Sequence, residues 1–140
     1  MLSQKVVSSR FYQDTDAVGF AERGDLATVT VVQTINGIIQ GKQDYSMIHR
    51  GDVVETVQRA LDVHYMAQQP PKRLLVPILL DREFIVQLRE KARTTFEIRV
   101  PKRGDLANLR TLADRNADIH LQRSRNSVKG SIEAKAASDL

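Results

Sequence analysis

The sequence predicts an α/β domain built on a mixed sheet, with its elements in the order βββαβαβα. Three observations carry this reading: β-branched runs broken by hairpin signals up to residue 49, apolar spacing that switches to a helical period near residue 52, and helices alternating with short strands from there on. At 140 residues, with 41% apolar and 27% charged residues, the chain has the size and composition of one globular domain.

Ala17 to Glu22 is a short apolar run that ends at Arg23-Gly24-Asp25, where a hairpin turn is expected. Leu26 to Ile35 is rich in β-branched residues, with Val29, Val31 and Ile35 on one face and Thr28, Thr30, Val32 and Thr34 on the other. Asn36-Gly37 signals a type I′ turn, whose two central positions both need positive φ, so Ile38 to Ile48 should return antiparallel. Val53, Val57, Ala60, Leu61, His64 and Tyr65 recur at helical spacing, and Asp52 followed by Glu55 has the form of a capping box, which predicts a helix over 52–67.

Pro70-Pro71 ends that helix and enforces an extended connector. Leu74 to Ile78 is fully apolar, as expected of a strand buried on both faces. Asp81 is placed to cap a second helix with Phe84, Ile85, Leu88 and Ala92 on its buried stripe. Thr95 to Val100 alternates as a strand, with Phe96, Ile98 and Val100 opposite Glu97 and Arg99, and Pro101 closes it. A third helix starts near Gly104-Asp105 and puts Leu106, Leu109, Leu112, Ala113, Asn116, Ala117 and His120 on one side. An amide on that apolar side predicts that Asn116 ties the helix to a loop. After Arg123 the apolar period fades into a polar, small-residue stretch read as a tail or linker.

The absence of Cys removes disulfides, thiolate metal sites and cysteine nucleophiles, and fits a reducing cytoplasm. No apolar run approaches the ~20 residues of a membrane span, and MLSQKVVSSR lacks the apolar core of a signal peptide. A soluble cytoplasmic protein without a membrane partner is expected. His49, His64 and His120 lack the spacing of a helical zinc site, and no dinucleotide, P-loop or serine-hydrolase motif occurs. Arg-Gly-Asp occurs at 23–25, 50–52 and 103–105, each time where Gly and Asp already suit a turn or helix start.

The chain carries 21 Lys and Arg against 17 Asp and Glu, a net charge of +4, with 14 Arg and 7 Lys. The excess is local: residues 99–129 hold eight cations against Asp105, Asp114 and Asp118. Such a segment either gathers phosphates or is a solvated helix face. The phosphate-contacting candidates are Lys102, Arg103, Arg110, Arg123 and Arg125. Arg103 stands out because it precedes a helix N-terminus, where amides and a guanidinium together can hold a phosphate.

The element order resembles that of the ribonuclease H-like fold, whose nucleases hold two metal ions between converging carboxylates. Here the first strand has no acid inside it: Asp14 and Asp16 precede Ala17, and Glu22 ends the run. Glu55 and Asp81 are within the fold's reach of the same edge, yet both have ordinary roles as helix-start acids. No catalytic residue, metal ligand or cofactor is therefore expected.

Three stretches are similar to the central region of the UvrC family, the excinuclease component of nucleotide excision repair. The first is Gln4-Lys5-Val6-Val7 with Asp14, Asp16, Val18-Gly19-Phe20-Ala21 and Gly24-Asp25, and the second is Gly37-Ile38-Ile39-Gln40-Gly41. The most specific is Val100-Pro101-Lys102-Arg103-Gly104-Asp105 followed by Leu109, Leu112-Ala113 and Asn116-Ala117. Neither the GIY-YIG motif nor the Phe-Asp-Ile-Ser-His motif of the family's two nuclease domains occurs in the chain. The resemblance thus implies a segment between those domains: a catalytically silent ribonuclease H-like scaffold over 14–123, preceded by a lead from an upstream helical region at 1–13 and followed by the polar stretch 124–140. It implies DNA as a partner, UvrB and the other excinuclease components through the full-length protein, and no enzymatic activity of its own. Docking of a protein partner through an apolar patch is the alternative, and an active two-metal nuclease a third.

Overall fold

In a computed structural model, residues 13–92 and 95–138 are described, with side chains described as far as residue 124. The Gln4–Val7 stretch and the lead over 1–12 lie outside these residues. Five strands form one sheet: β1 (Thr15–Arg23), β2 (Leu26–Ile35), β3 (Ile38–Ile48), β4 (Arg73–Leu75) and β5 (Glu97–Arg99). Among the described residues three helices accompany the sheet: α1 (Val53–Ala67), α2 (Arg82–Lys91) and α3 (Gly104–Ser138). The order βββαβαβα is the one expected.

Across the sheet the order is β3-β2-β1-β4-β5, with β1 at the centre. The first three strands are an antiparallel meander; β4 then joins β1 in parallel, and β5 joins β4 in parallel. Gly24 at φ 62°, and Asn36 and Gly37 at φ 53° and 75°, make the two tight turns. Residues with positive φ at both central positions match the twist of the flanking strands, which fixes the pairing of Ile35 with Ile38.

Both faces of the sheet are covered. On one, Val18, Val29, Val31, Leu74 and Val76 pack against Val57, Ala60 and Leu61 of α1 and Phe84 and Leu88 of α2. On the other, Ala17, Val32 and Leu75 pack against Leu106, Leu109 and Ala113 of α3. This explains why β2 is apolar or β-branched on both its faces: Ala27 to Val32 are all buried. The α3 helix approaches β1 so closely that a Cβ on Gly19 would lie 2.1 Å from the Ala113 carbonyl group. Only glycine fits there.

Some expectations change. Asp52 caps α1 by accepting from the Glu55 amide at 3.1 Å, but Glu55 turns to Arg59 at 2.6 Å, so only half of a capping box forms. Asp81 occupies the N-cap of α2 without a side-chain cap hydrogen bond; Gln58 takes it instead, donating to its carboxylate at 3.1 Å and accepting from its amide at 2.8 Å. The exchange ties α1 to α2. Asn116 donates to the Leu112 carbonyl of its own helix at 2.9 Å rather than to a loop. The stretch read as a polar tail continues α3 as helix to Ser138, because loss of the buried stripe after Leu121 does not itself stop a helix that no proline interrupts.

Candidate nucleic-acid interface and the closed strand end

The basic segment begins where β5 ends. The Val76 amide donates to the Arg99 carbonyl at 2.9 Å, which fixes the end of β5, and burial of Leu106 and Leu109 fixes the first turns of α3. Between these anchors the chain turns through Gly104 at φ 84°, and Arg99, Lys102, Arg103 and Asp105 are all exposed. Arg99 pairs in register with Leu75 and alternates with the half-buried Ile98, so it projects on the α3 side of the sheet. Arg99, Lys102 and Arg103 thus lie within five residues of one another, with Asp105 following, at a helix start whose amides and dipole also favour anions.

The other predicted basic residues separate. Arg110 turns inward: its guanidinium grips Asp114 at 2.7 and 2.5 Å and donates to the Val18 carbonyl at 3.3 Å. Asp114 in turn accepts from the Phe20 amide at 3.0 Å. Arg123 is exposed far along α3, and the Arg125 side chain lies outside the described residues. The structure therefore leaves Lys102 and Arg103 exposed, with Arg99 exposed at the end of β5, and gives Arg110 a structural task.

That task has a consequence for chemistry. In open α/β sheets, ligands bind beyond the carboxyl ends of parallel strands. Here β4 pairs with β1 only as far as Ala17 with Leu75. Beyond that point the Val18 carbonyl and the Phe20 amide on the freed edge of β1 are taken by the Arg110–Asp114 pair. On the α1 face of the same end lie Val18, Val76 and Val57, all fully buried in one apolar cluster. The carboxyl ends of β1 and β4 are thus packed with valine on one face and covered by an ion pair at the β1 edge.

The acids are elsewhere. β1 begins at Thr15 rather than Ala17, so Asp16, expected before the strand, lies inside it, paired with Gln33 and Leu74; it is buried and accepts from the Tyr65 hydroxyl at 2.6 Å, while His64 Nε2 stands 4.0 Å away and His64 Nδ1 meets the Tyr45 hydroxyl at 2.7 Å. Burial raises the Asp16 carboxyl to about 6, against the lowering effect of the Tyr65 hydrogen bond, with Asp14 adding to the rise. Burial also lowers His64, and burial together with the Asp16 charge raises Tyr65. Glu22 pairs with the buried His49, whose Nδ1 meets Thr56 at 2.8 Å. His120 binds across to β3, with Nδ1 3.6 Å from Asp44 and Nε2 3.2 Å from Ser46. Among the described residues no three His, Asp or Glu side chains are grouped to hold a metal ion.

The polar network around Asp16 and the Arg110–Asp114 clamp are the features that sequence reasoning missed. The i, i+4 spacing of Arg110 and Asp114 was visible, but its contact with β1 needs the tertiary fold. Arg73, buried and paired with Glu97 at 2.6 Å across the β4–β5 ladder, is a third. No helix among the described residues is long and apolar enough to cross a membrane.

A mixed sheet in the order β3-β2-β1-β4-β5, with α1 and α2 on one face and α3 on the other, defines a ribonuclease H-like domain. The family model described as "UvrC Ribonuclease H-like domain" matches residues 14–124, and the chain belongs to that family. It is 35% identical over 113 residues to the UvrABC system protein C of Thermus thermophilus, covering 78% of this chain and 19% of that protein. It is 30% identical over 128 residues to that of a Synechococcus strain, covering 87% and 21%, and 26% identical over 128 residues to that of Methanococcoides burtonii, covering 88% and 21%. The chain spans about a fifth of the length of these relatives.

Proposed function

We propose that this domain is a non-catalytic, DNA-contacting scaffold of the UvrABC nucleotide excision repair endonuclease, which positions the two nuclease domains of UvrC on damaged DNA. The observation that carries this reading is the valine-packed, Arg110-sealed end of β1 and β4 beside an exposed basic knuckle. A domain that keeps a nuclease-type sheet while filling its crevice with apolar side chains offers rigidity and a surface, with DNA as its partner. UvrB and the other excinuclease components meet it through the full-length protein, in the cytoplasm. Lys102 and Arg103, with Arg99 between them and the sheet, hold backbone phosphates; Arg123 and Arg125 extend the field along α3, and Arg110 acts indirectly by fixing α3 on β1.

Fluorescence anisotropy with a labelled duplex and Mg²⁺ tests this. Three phosphate contacts predict that affinity falls about 40-fold between roughly 50 and 200 mM salt, with the duplex left intact. Binding that ignores salt, or cleavage that depends on Mg²⁺, would contradict the reading.

A second reading is favoured by one observation. Leu26 and Ile48 are cross-strand neighbours, Arg59 donates to the Ile48 carbonyl at 2.5 Å, and Val63 and Met66 follow Arg59 on the outer face of α1. These four apolar side chains are exposed, Met66 to 78%. They form a row beside the edge strand β3, away from the basic knuckle, of the kind that docks a protein partner.

A further inference from the structure

The middle of α3 turns the basic knuckle into one half of a longer surface. From Gly104 to Arg123 the helix rises about 28 Å, so Arg103 and Arg123 stand roughly 30 Å apart. Both are exposed, and so is Arg115, close to halfway between them. The stripe through Asn108, Thr111, Arg115 and Gln122 is the solvent face of α3, opposite the buried Leu106, Leu109, Ala113, Ala117 and Leu121. It carries hydrogen-bonding groups around one exposed apolar side chain, Ile119. The middle of the helix is held firm: His120 reaches Ser46 at 3.2 Å and stands 3.6 Å from Asp44, which itself accepts from Thr30 at 2.6 Å on β2. Positions 103 and 123 are therefore fixed at the start and near the middle of one helix, itself pinned to the sheet at Gly19 and at β3.

In duplex DNA each strand returns to the same side after one turn, about 34 Å along the axis. A separation of about 30 Å, extended by two arginine side chains, matches that repeat. Arg115 then falls where the complementary strand crosses. On the reading that this domain contacts DNA, we infer that the partner is duplex at least one turn long, lying along the outer face of α3 with its backbone gripped at the Arg103 knuckle and at Arg123.

The test is anisotropy of the 140-residue chain with blunt duplexes of about 6, 9, 12 and 16 base pairs at low salt. Two linked contacts predict a rise in affinity of about tenfold or more between 6 and 12 base pairs and little beyond, since the second contact becomes intramolecular only when the duplex spans both ends. Arg103→Ala and Arg123→Ala should each abolish that step. Affinity that rises only in proportion to length, or a step that survives Arg123→Ala, overturns the inference and leaves the scaffold reading standing. Absence of binding to every duplex overturns both.

Discussion

Replacing Gly19 by Ala adds one methyl group, and ordinarily a glycine-to-alanine change in a strand is neutral or mildly stabilising. Here the new Cβ would lie 2.1 Å from the Ala113 carbonyl carbon and oxygen and 2.4 Å from the Asp114 amide nitrogen. All three are backbone atoms of α3, so no side chain can swing aside. Restoring ordinary contact requires the helix to retreat by about 1.3 Å from β1, measured against the 3.4 Å at which such contacts become ordinary. The same movement stretches the 3.0 Å bond from the Phe20 amide to Asp114 and the 3.3 Å bond from Arg110 to Val18 beyond hydrogen-bonding range. Overpacking of this kind costs about 1–3 kcal/mol, and loss of a hydrogen bond to a charged carboxylate about 1.5–3 kcal/mol more. The expected loss is about 3–5 kcal/mol, or about 10–20 °C in Tm for a domain of this size. Urea and thermal unfolding followed by circular dichroism measure it. A variant within about 1 kcal/mol of the parent would refute the close seating of α3 on β1, and with it the sealed strand end.

Three further outcomes are expected. The Asp16 carboxyl, raised from 3.8 to about 6, binds its proton more tightly in the folded state, so the stability it contributes is complete below about pH 4 and is lost as pH rises through about 6. Asp16→Asn keeps an acceptor for Tyr65, and in pH-dependent urea unfolding should remove a fall of about 3 kcal/mol across that window; His64, lowered by burial, tilts the same window the opposite way. Asn36→Val places a β-branched residue at φ 53° and should cost about 1–2 kcal/mol by urea unfolding, with Asn36→Gly close to neutral. Arg110→Ala and Asp114→Ala should destabilise about equally, and the double variant should cost clearly less than the sum of the two in a thermodynamic cycle, because each carries the other to the β1 edge.

Strand and helix identities were legible because local chemistry and tertiary burial agree over most of the chain. The Leu26 to Ile35 run, the Asn36-Gly37 turn and the Ile38 to Ile48 return were readable to the residue, since β-branching, turn stereochemistry and alternation all point one way. The short strands β4 and β5 were read too long, because apolar character extends past the three residues that pair. Asp81 and Asn116 were misassigned partners for a common reason: a polar side chain at a helix start or on an apolar stripe advertises a hydrogen bond but not with whom. The knuckle at Lys102 and Arg103 was visible as a charge excess beside a helix start. Its third member, Arg99, needed the β4–β5 register, and the withdrawal of Arg110 needed the approach of α3 to Gly19. The seal over β1 is a tertiary fact that no single segment encodes.

The most direct test of the account is salt-dependent anisotropy of the parent chain and of Arg103→Ala on a labelled 16-base-pair duplex with Mg²⁺ present, with the DNA run afterwards on a denaturing gel. The account predicts intact DNA, a linear fall of log affinity with log salt, and a slope shallower by about one unit in the variant. Cleaved DNA would mean that the domain carries chemistry of its own, and a variant with an unchanged slope would mean that the knuckle is a solvated helix start.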